Sequence, residues 1–348
     1  MTTYRRPRGT ASGRLMPVAV LVVGCVLMAF GLASVALYVP PVQLSTRSTI
    51  MAASFIPYGL PCFAVATLVF AVSQQRWAKL VAVVALAGVL LLAWWAKPYW
   101  PKQMPHSTTQ GMTLLTMNMR CDSRGLQDLD DLLHEMRPDV AVIQGLQITR
   151  HEEYQRSWEP LLPHREYFPM ESLPGCGTFV MTRWPVRSLP GVDGAVVTGE
   201  FPVVQVGAPD GSFVLLPVDF PTPSKGPQLW LDAFEQLSKV ATNQGNTPVV
   251  VMGDFNAVRE HVPLRRLLQR TELRDAAEAA GQGWLPTFPS RGWRPALIGV
   301  DHVLVTREFE ALEATTARIS GQGHRAVIVR MAVPPSPSGV IGEDQRHD

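Results

Sequence analysis

Along the chain the apolar residues change their rhythm once. Before Lys97 they come in three long stretches without a charge, Met16 to Tyr38, Ile50 to Val72 and Leu80 to Ala96. The first two exceed, and the third approaches, the roughly 20 residues that a helix needs to cross a bilayer. Three transmembrane helices are therefore expected, over about 16–38, 50–72 and 80–96, with Pro57 and Pro61 kinking the second. After the polar, Pro-containing stretch 97–110 the runs become short. "MTLLTMNM", "DVAVIQ", "GTFVMT", "AVVTG", "FPVVQVG" and "SFVLLPVDF" read as strands, as do "PVVVMGDFN", "IGVDHVLVT", "ATTARIS" and "RAVIVRMAV". "LQDLDDLLHEM", "QLWLDAFEQLSKVATNQG" and "PLRRLLQRTELRDAAEAAG" carry apolar positions three and four apart and read as helices. Strands at hairpin spacing mixed with strands separated by helices predict an α/β domain over 111–333, with two packed sheets covered by helices. The Pro- and Gly-containing end, 334–348, has the composition of a disordered tail.

Composition sharpens this division. The chain is 47% hydrophobic and 17% charged, and the apolar excess lies before residue 97. Arg5, Arg6, Arg8 and Arg14 precede the first stretch with no acid among them, and Arg76 and Lys79 separate the second from the third. Basic residues stay on the cytoplasmic side of short loops, so residues 1–15 are expected inside and everything after Trp100 outside the cytoplasm, in a multi-pass protein of the cell membrane. Trp77, Trp94, Trp95 and Trp100 suit the interfacial belts of the third span. A cleaved signal peptide is the competing reading of the first stretch, because "SVA" at Ser34 to Ala36 offers small residues at suitable spacing; its apolar core is longer than the usual ~7–15 residues. No ionisable group lies in a span to mark a transport path, so the spans read as an anchor. A net charge of +2 and the lack of a basic cluster interleaved with aromatics argue against nucleic acid as a partner. Cys25 and Cys62 fall inside spans. Cys121 and Cys176 fall in the exported part, where disulfides form, and are read either as a pair or as two free thiols.

Candidate chemistry gathers at strand ends. In "GDFNA" a glycine turn closes a buried strand and presents Asp254 and Asn256 at the carboxyl edge of the sheet, where open α/β sheets place ligands. An acid beside an amide suits water activation; alone, the same residues are ordinary turn formers. Asn118 ends the first strand, Asp301 and His302 sit in "IGVDHVLV", and His324 precedes the last strand in "GQGHRAVIV". Taken in order, "LLTMNMR", "RPDVAVIQ", "GTFVMTRWPV", "GDFNA", "VDHVLVT" and "GHRAV" resemble the successive motifs of the endonuclease/exonuclease/phosphatase superfamily, from about Gly111 to Val333. Membrane-anchored bacterial members have a similar layout. The resemblance implies the DNase I-like four-layer α/β sandwich and hydrolysis of a phosphate ester with Mg²⁺ or Mn²⁺. It makes Asp254 the base or water orienter, Asn256 its partner at the phosphate and Asn118 a residue that helps to hold metal. Asp301 would steady the terminal histidine, and His324 would stabilise charge on the phosphoryl oxygens. His302 is read as packing behind the sheet. His134, His151, His164 and His261 match no motif and are read as surface or helix residues.

Three positions depart from the pattern that the resemblance implies. Gly145, in "IQG", stands where the family has its principal metal-ligand glutamate. Gly323 stands where an acid precedes the last histidine, and Asp219, at the end of "VLLPVDF", where many members have a histidine. A carboxylate about 4 Å from a phosphate charge is repelled by ~4 kcal/mol at an effective dielectric near 20, roughly a thousandfold in rate. Mg²⁺ is usually held by only one or two protein carboxylates, so the loss of one is serious. The sequence thus supports a degenerate, weak or inactive phosphoesterase site whose cleft binds an envelope ligand or a membrane-protein partner. The alternative is an active enzyme on a lipid or envelope phosphoester, with Asp219, Asp254, Asp301, Asn118 and Asn256 forming a relocated metal site. "RGWRP", Arg291 to Pro295, is the nearest approach to a recognition loop and reads as an exposed turn.

Overall fold

A computed structural model describes residues 12–102, 111–170, 173–190, 193–195, 199–200, 202–209 and 211–332. The expected tail, the first residues of the chain and most of the 97–110 stretch lie outside these. The chain divides into two compact units at Lys97/Pro98.

In the first unit the apolar stretches are helical. α1 runs Ser12–Tyr38, α2 Pro40–Gln43, α3 Arg47–Ala53, α4 Gly59–Val72 and α5 Arg76–Trp95. Val18–Tyr38 and Arg76–Trp95 are long and apolar enough to cross a membrane. The second expected span is not one helix: Arg47–Ala53 and Ile56–Val72 are bent by 57° across the break between them, so the described residues of this unit hold two such helices, or three if the bent pair is one span. The physical cause is local. Thr46 opens α3 with a reciprocal capping box to Thr49, while Pro57 lacks the N–H and the ring clearance that a continuing helix requires. Phe63 packs where small residues let helices approach: a Cβ placed on Gly31 or Gly88 would lie 2.6 or 2.5 Å from its ring.

The second unit is built from two six-stranded sheets. Along the chain come β1 (Gly111–Asn118), α6 (Leu126–Met136), β2 (Val140–Gln147), α7 (Ile148–Trp158), β3 (His164–Pro169), β4 (Cys176–Thr182) and β5 (Val186–Leu189). A small ribbon follows, β6 (Asp193–Ala195) with β7 (Gly199–Glu200), then β8 (Val203–Ala208), β9 (Gly211–Asp219), α8 (Pro227–Thr242) and β10 (Val249–Asp254). The chain continues through α9 (Val262–Arg270), β11 (Arg274–Asp275), α10 (Ala276–Ala279), β12 (Asp301–Val305), β13 (Glu310–Arg318) and β14 (Arg325–Ala332). One sheet has the order β13-β14-β1-β2-β4-β3 and the other β11-β12-β10-β9-β8-β5. In each, one central pair is parallel, β1 with β2 and β9 with β10.

Alternation along these strands makes the layers. Met112, Leu114, Val140 and Val142 of the first sheet bury against Val204, Leu215, Val250, Met252 and Val303 of the second. The opposite face of the first sheet, with Leu115, Met117, Ala141 and Ile143, packs on Leu129, Leu133 and Trp158 of α6 and α7. Across the second sheet, Trp230 and Phe234 of α8 stack edge-on, Trp230 Nε1 donates to Phe255 O at 3.0 Å, and Phe220, Phe234 and Phe255 cluster. The result is an α/β sandwich with a helix layer outside each sheet.

Some expectations need correction. The helix expected over Pro263–Gly281 stops at Arg270, because Thr271 turns extended and its hydroxyl donates back to Leu267 O; Asp275 then caps the short α10. His151 lies on helix α7, in line with the surface-or-helix reading, but it and His261, which precedes α9, are buried and engaged. His151 is 5% exposed and stacks on Phe179, and His261 is 1% exposed with Nδ1 accepting from Val258 N at 2.9 Å. His134, on α6, is exposed, and His164 lies half-buried on β3. Nor is all of 97–110 a free linker: Tyr99 donates to the Glu260 carboxylate at 2.7 Å and meets Trp284 edge-on, and Lys102 Nζ donates to Glu278 O.

Candidate functional site

The carboxyl ends of both parallel pairs point the same way, and the expected residues gather there. In the second sheet, register sets Asp254 opposite Asp219 on one side and Asp301 on the other. Asn118 ends β1 opposite Gln144. Its Nδ2 reaches across to the other sheet, donating to Asp254 Oδ2 at 2.9 Å and, more weakly, to Asp219 Oδ1 at 3.4 Å. Gly253 enters this corner with φ 145°, a conformation only glycine adopts readily, and Asn256 follows with φ 46°. That turn lets Asn256 N donate to Asp254 Oδ1 at 2.8 Å while its Nδ2 donates to Phe220 O. His324 arrives just before β14. Its Nδ1 donates to Asp301 Oδ2 at 2.9 Å, and its Nε2 faces Asp254 Oδ2 at 3.8 Å. Phe288 lies against the ring at 5.0 Å.

Burial and crowding shape the charges. Asp254, Asp301, His324 and Asn118 are all buried, and Asp219 is half-buried. Desolvation and the neighbouring Asp254 push the Asp219 carboxyl up to about 7. Asp254 rises to about 6, with desolvation and Asp301 opposed by His324. Burial opposes charge on His324, but Asp301 and Asp254 outweigh it and carry the imidazolium up to about 9. His302 takes no part. It is held between Asp275 Oδ2 at 2.7 Å and Ala257 O at 2.8 Å, behind the sheet as expected.

Gly145 is the position that changes the picture. It sits at a register shift in β2 with φ 58°. A Cβ there would lie 2.7 Å from Arg120 N and 2.9 Å from both Arg120 Cα and Cys121 N, so backbone fills the place of a side chain. The loop after β1 makes this contact because Arg120 and Cys121 are both left-handed, with φ 53° and 58°. Four bonds pin it: Met119 N to Gln144 O, Cys121 N to Gly145 O, Gln147 Nε2 to Cys121 O and Gln322 Nε2 to Asp122 O, at 2.7–3.0 Å. Cys121 also pairs with Cys176 as a disulfide, the Cα atoms 5.9 Å apart. At Gly323 a Cβ would stand 3.2 Å from Arg120 Nη1 and 3.8 Å from Arg291 Nε, so guanidinium groups occupy the surroundings in which the resemblance places an acid. Sequence reading missed Arg120 and took Arg291 only as the start of an exposed turn. Each lies in a stretch of note, "MNMR" and "RGWRP", but only the fold-back of the 119–124 loop brings them together.

The family's sequence profile matches residues 115–322, which span the site and both sheets. The chain belongs to the endonuclease/exonuclease/phosphatase family. No curated protein matches it in sequence. Among solved structures it is similar to an endonuclease/exonuclease/phosphatase from Beutenbergia cavernae, at 16% identity and TM-score 0.51 over 65% of this chain and 72% of that one. Truncated TDP2 from Caenorhabditis elegans is similar at 12% identity and TM-score 0.52, over 64% and 98%. A family protein from Bacteroides thetaiotaomicron is similar at 11% and 0.50, over 65% and 99%. These likenesses establish the fold.

Endonuclease/exonuclease/phosphatase proteins generally depend on a divalent metal, and Asp254, Asp301 and His324 bring one ligand atom each within 4.8 Å of one another. The donors do not fit such an ion as the resemblance would hold it. Asp301 and His324 are bonded to each other, Asp254 accepts from Asn118 and Asn256, position 145 has no room for a carboxylate, and position 323 lies beside the Arg120 and Arg291 guanidinium groups. Hard divalent cations take six or more oxygens, with carboxylates free to face them.

Proposed function

We propose that this is a membrane-anchored, extracytoplasmic endonuclease/exonuclease/phosphatase-family protein with weak or lost metal-dependent hydrolysis, whose cleft binds an envelope phosphoester or a membrane-protein partner. The observation that carries this reading is the closure of position 145 by the Arg120–Cys121 backbone, 2.7–2.9 Å from any Cβ placed there. A ligand missing through a side-chain change leaves a hole that water or a metal can fill; here main chain fills it. Anchoring is supported by the two helices long and apolar enough to span and by the bent pair between them. The extracytoplasmic side is supported by the basic residues before α1 and at the start of α5.

A second reading, an active phosphoesterase with a relocated Mg²⁺ or Mn²⁺ site, draws on one contact: Asp219 and Asp254 share the Asn118 amide. Equilibrium Mn²⁺ binding to the full chain in an uncharged detergent separates the two, run beside hydrolysis of a chromogenic phosphodiester. The proposal expects no saturable Mn²⁺ uptake at millimolar concentration and turnover no higher than Asp254→Ala. Tight uptake and brisk hydrolysis, both abolished by Asp219→Ala, would overturn it.

A further inference from the structure

Resting on the proposed loss of metal-dependent hydrolysis, and naming the ligand class of that same cleft, we propose that the guanidinium groups of Arg120 and Arg291, converging beside Gly323, form a metal-independent binding site for a phosphate-bearing anion.

Both arginines are exposed, and among the described residues neither forms a salt bridge, so no carboxylate claims their donors. Guanidinium is the side chain best matched to phosphate oxygens, through parallel charge-assisted hydrogen bonds. The two groups are also positioned by well-tied backbone. Arg120 rides on the loop held by bonds to Gln144, Gly145, Gln147 and Gln322 and by the Cys121–Cys176 pair. Arg291 follows Ser290, whose N donates to Gly323 O at 2.8 Å, and the neighbouring Thr287 accepts from Arg325 N at 2.9 Å. Fixing the donors beforehand lowers the ordering cost of binding.

Of the acids near the arginines, Asp122, Asp254 and Asp301 are already engaged, while Asp219, which feels the charge of Arg120, accepts only weakly from Asn118, at 3.4 Å. Asp122, whose charge Arg291 also feels, is bonded by Arg124. Asp301 is taken by His324, and Asp254 accepts from Asn118 and Asn256. Glycine at 323 completes the arrangement. It has no side chain to fill the space between the guanidiniums, and a carboxylate there would neutralise them directly. Beside Arg291, Gly292 turns with φ 64° and leaves Trp293 88% exposed, flanked by Arg294. An indole beside basic groups is the kind of side chain that settles at a lipid headgroup layer. The anion therefore has two candidate sources, a phospholipid headgroup and a soluble phosphate.

The test uses the full chain in an uncharged detergent with EDTA present, titrated by calorimetry with inorganic phosphate and, separately, with short-chain phosphatidylglycerol. Saturable binding of either probe is expected, weakened about tenfold or more by Arg120→Gln and by Arg291→Gln, since each removes a charge-assisted donor. Gly323→Asp is expected to abolish it while the protein keeps its melting temperature, φ at 323 being ordinary. If phosphatidylglycerol binds more than tenfold tighter than phosphate, the source is lipid; the reverse order or parity assigns a soluble phosphate. The site is refuted if neither probe saturates in EDTA, or if the arginine and Gly323→Asp variants bind like the parent. The two failures are distinct: a tightly held divalent ion with turnover overturns the loss of hydrolysis, whereas absent phosphate binding without any bound metal overturns the anion site alone.

Discussion

Placing a glutamate at position 145, where the family resemblance implies one, should damage the protein before it helps catalysis. Gly145→Glu adds a Cβ that meets three backbone atoms at 2.7–2.9 Å, in a residue whose φ is 58°. A side chain in the left-handed region costs ~1–2 kcal/mol, and overpacking against atoms that cannot rotate away costs a further ~1–3 kcal/mol. Backbone neighbours put the steric part toward the upper end, so a loss of about 2–5 kcal/mol is expected, or roughly 5–15 °C in melting temperature for a domain of this size. Thermal unfolding of the full chain in detergent measures this, with Gly145→Ala isolating the Cβ from the carboxylate and Gly175→Ala as a reference. Gly175 also has positive φ, 83°, but among the described residues nothing lies within 4 Å of its added Cβ, so it reports the conformational part alone. Gly145→Ala should therefore fall well below Gly175→Ala. If the two melt together, or if Gly145→Glu is as stable as the parent and takes up Mn²⁺, the main chain does not close position 145.

Other outcomes test the surrounding structure. His151 is held near pKa 4 by desolvation and then by Arg165, against an ordinary value of 6.5, so its contribution to stability is intact above about pH 6.5 and is lost as pH falls through about 4. Replacing it by Phe should therefore raise stability relative to the parent by about 1–3 kcal/mol between pH 7 and pH 4 in urea titrations; a constant difference across that range would contradict the assignment. Asp275 both caps α10, accepting from Ala277 N and Glu278 N, and pairs with buried His302. Asp275→Ala should cost ~3–5 kcal/mol and Asp275→Asn less, because it keeps an acceptor for the cap; equal losses in denaturant unfolding would show that the cap contributes nothing.

How far the sequence reached depends on the range of the forces involved. Strand and helix positions in the second unit followed from local alternation, and the meeting of Asn118, Asp254, Asp301 and His324 followed from an ordered set of motifs. α7 and β3 went unread because their apolar positions are few: among α7's residues only His151 and Trp158 are buried. The helix expected through Thr271 failed because its period continued while one hydroxyl diverted the backbone. Asp219 and Gly323 were visible as departures, yet what surrounds them was not. Arg120 lies two residues past Asn118, and nothing local says that it and Cys121 are both left-handed, or that Arg291, far along the chain, shares its space.

The Cys121–Cys176 bond has a bearing on the history of this cleft. It ties the turn after β1 to the first residue of β4, across the end of β2, and the turn it secures is the one that fills the space at position 145. A lone reversion at 145 meets a covalently fastened obstacle, and removing the cross-link first weakens the loop without restoring a ligand. On the proposed loss of metal-dependent hydrolysis, a return to metal chemistry runs through intermediates worse than either end state, so for ordinary mutation the proposed loss behaves as a ratchet.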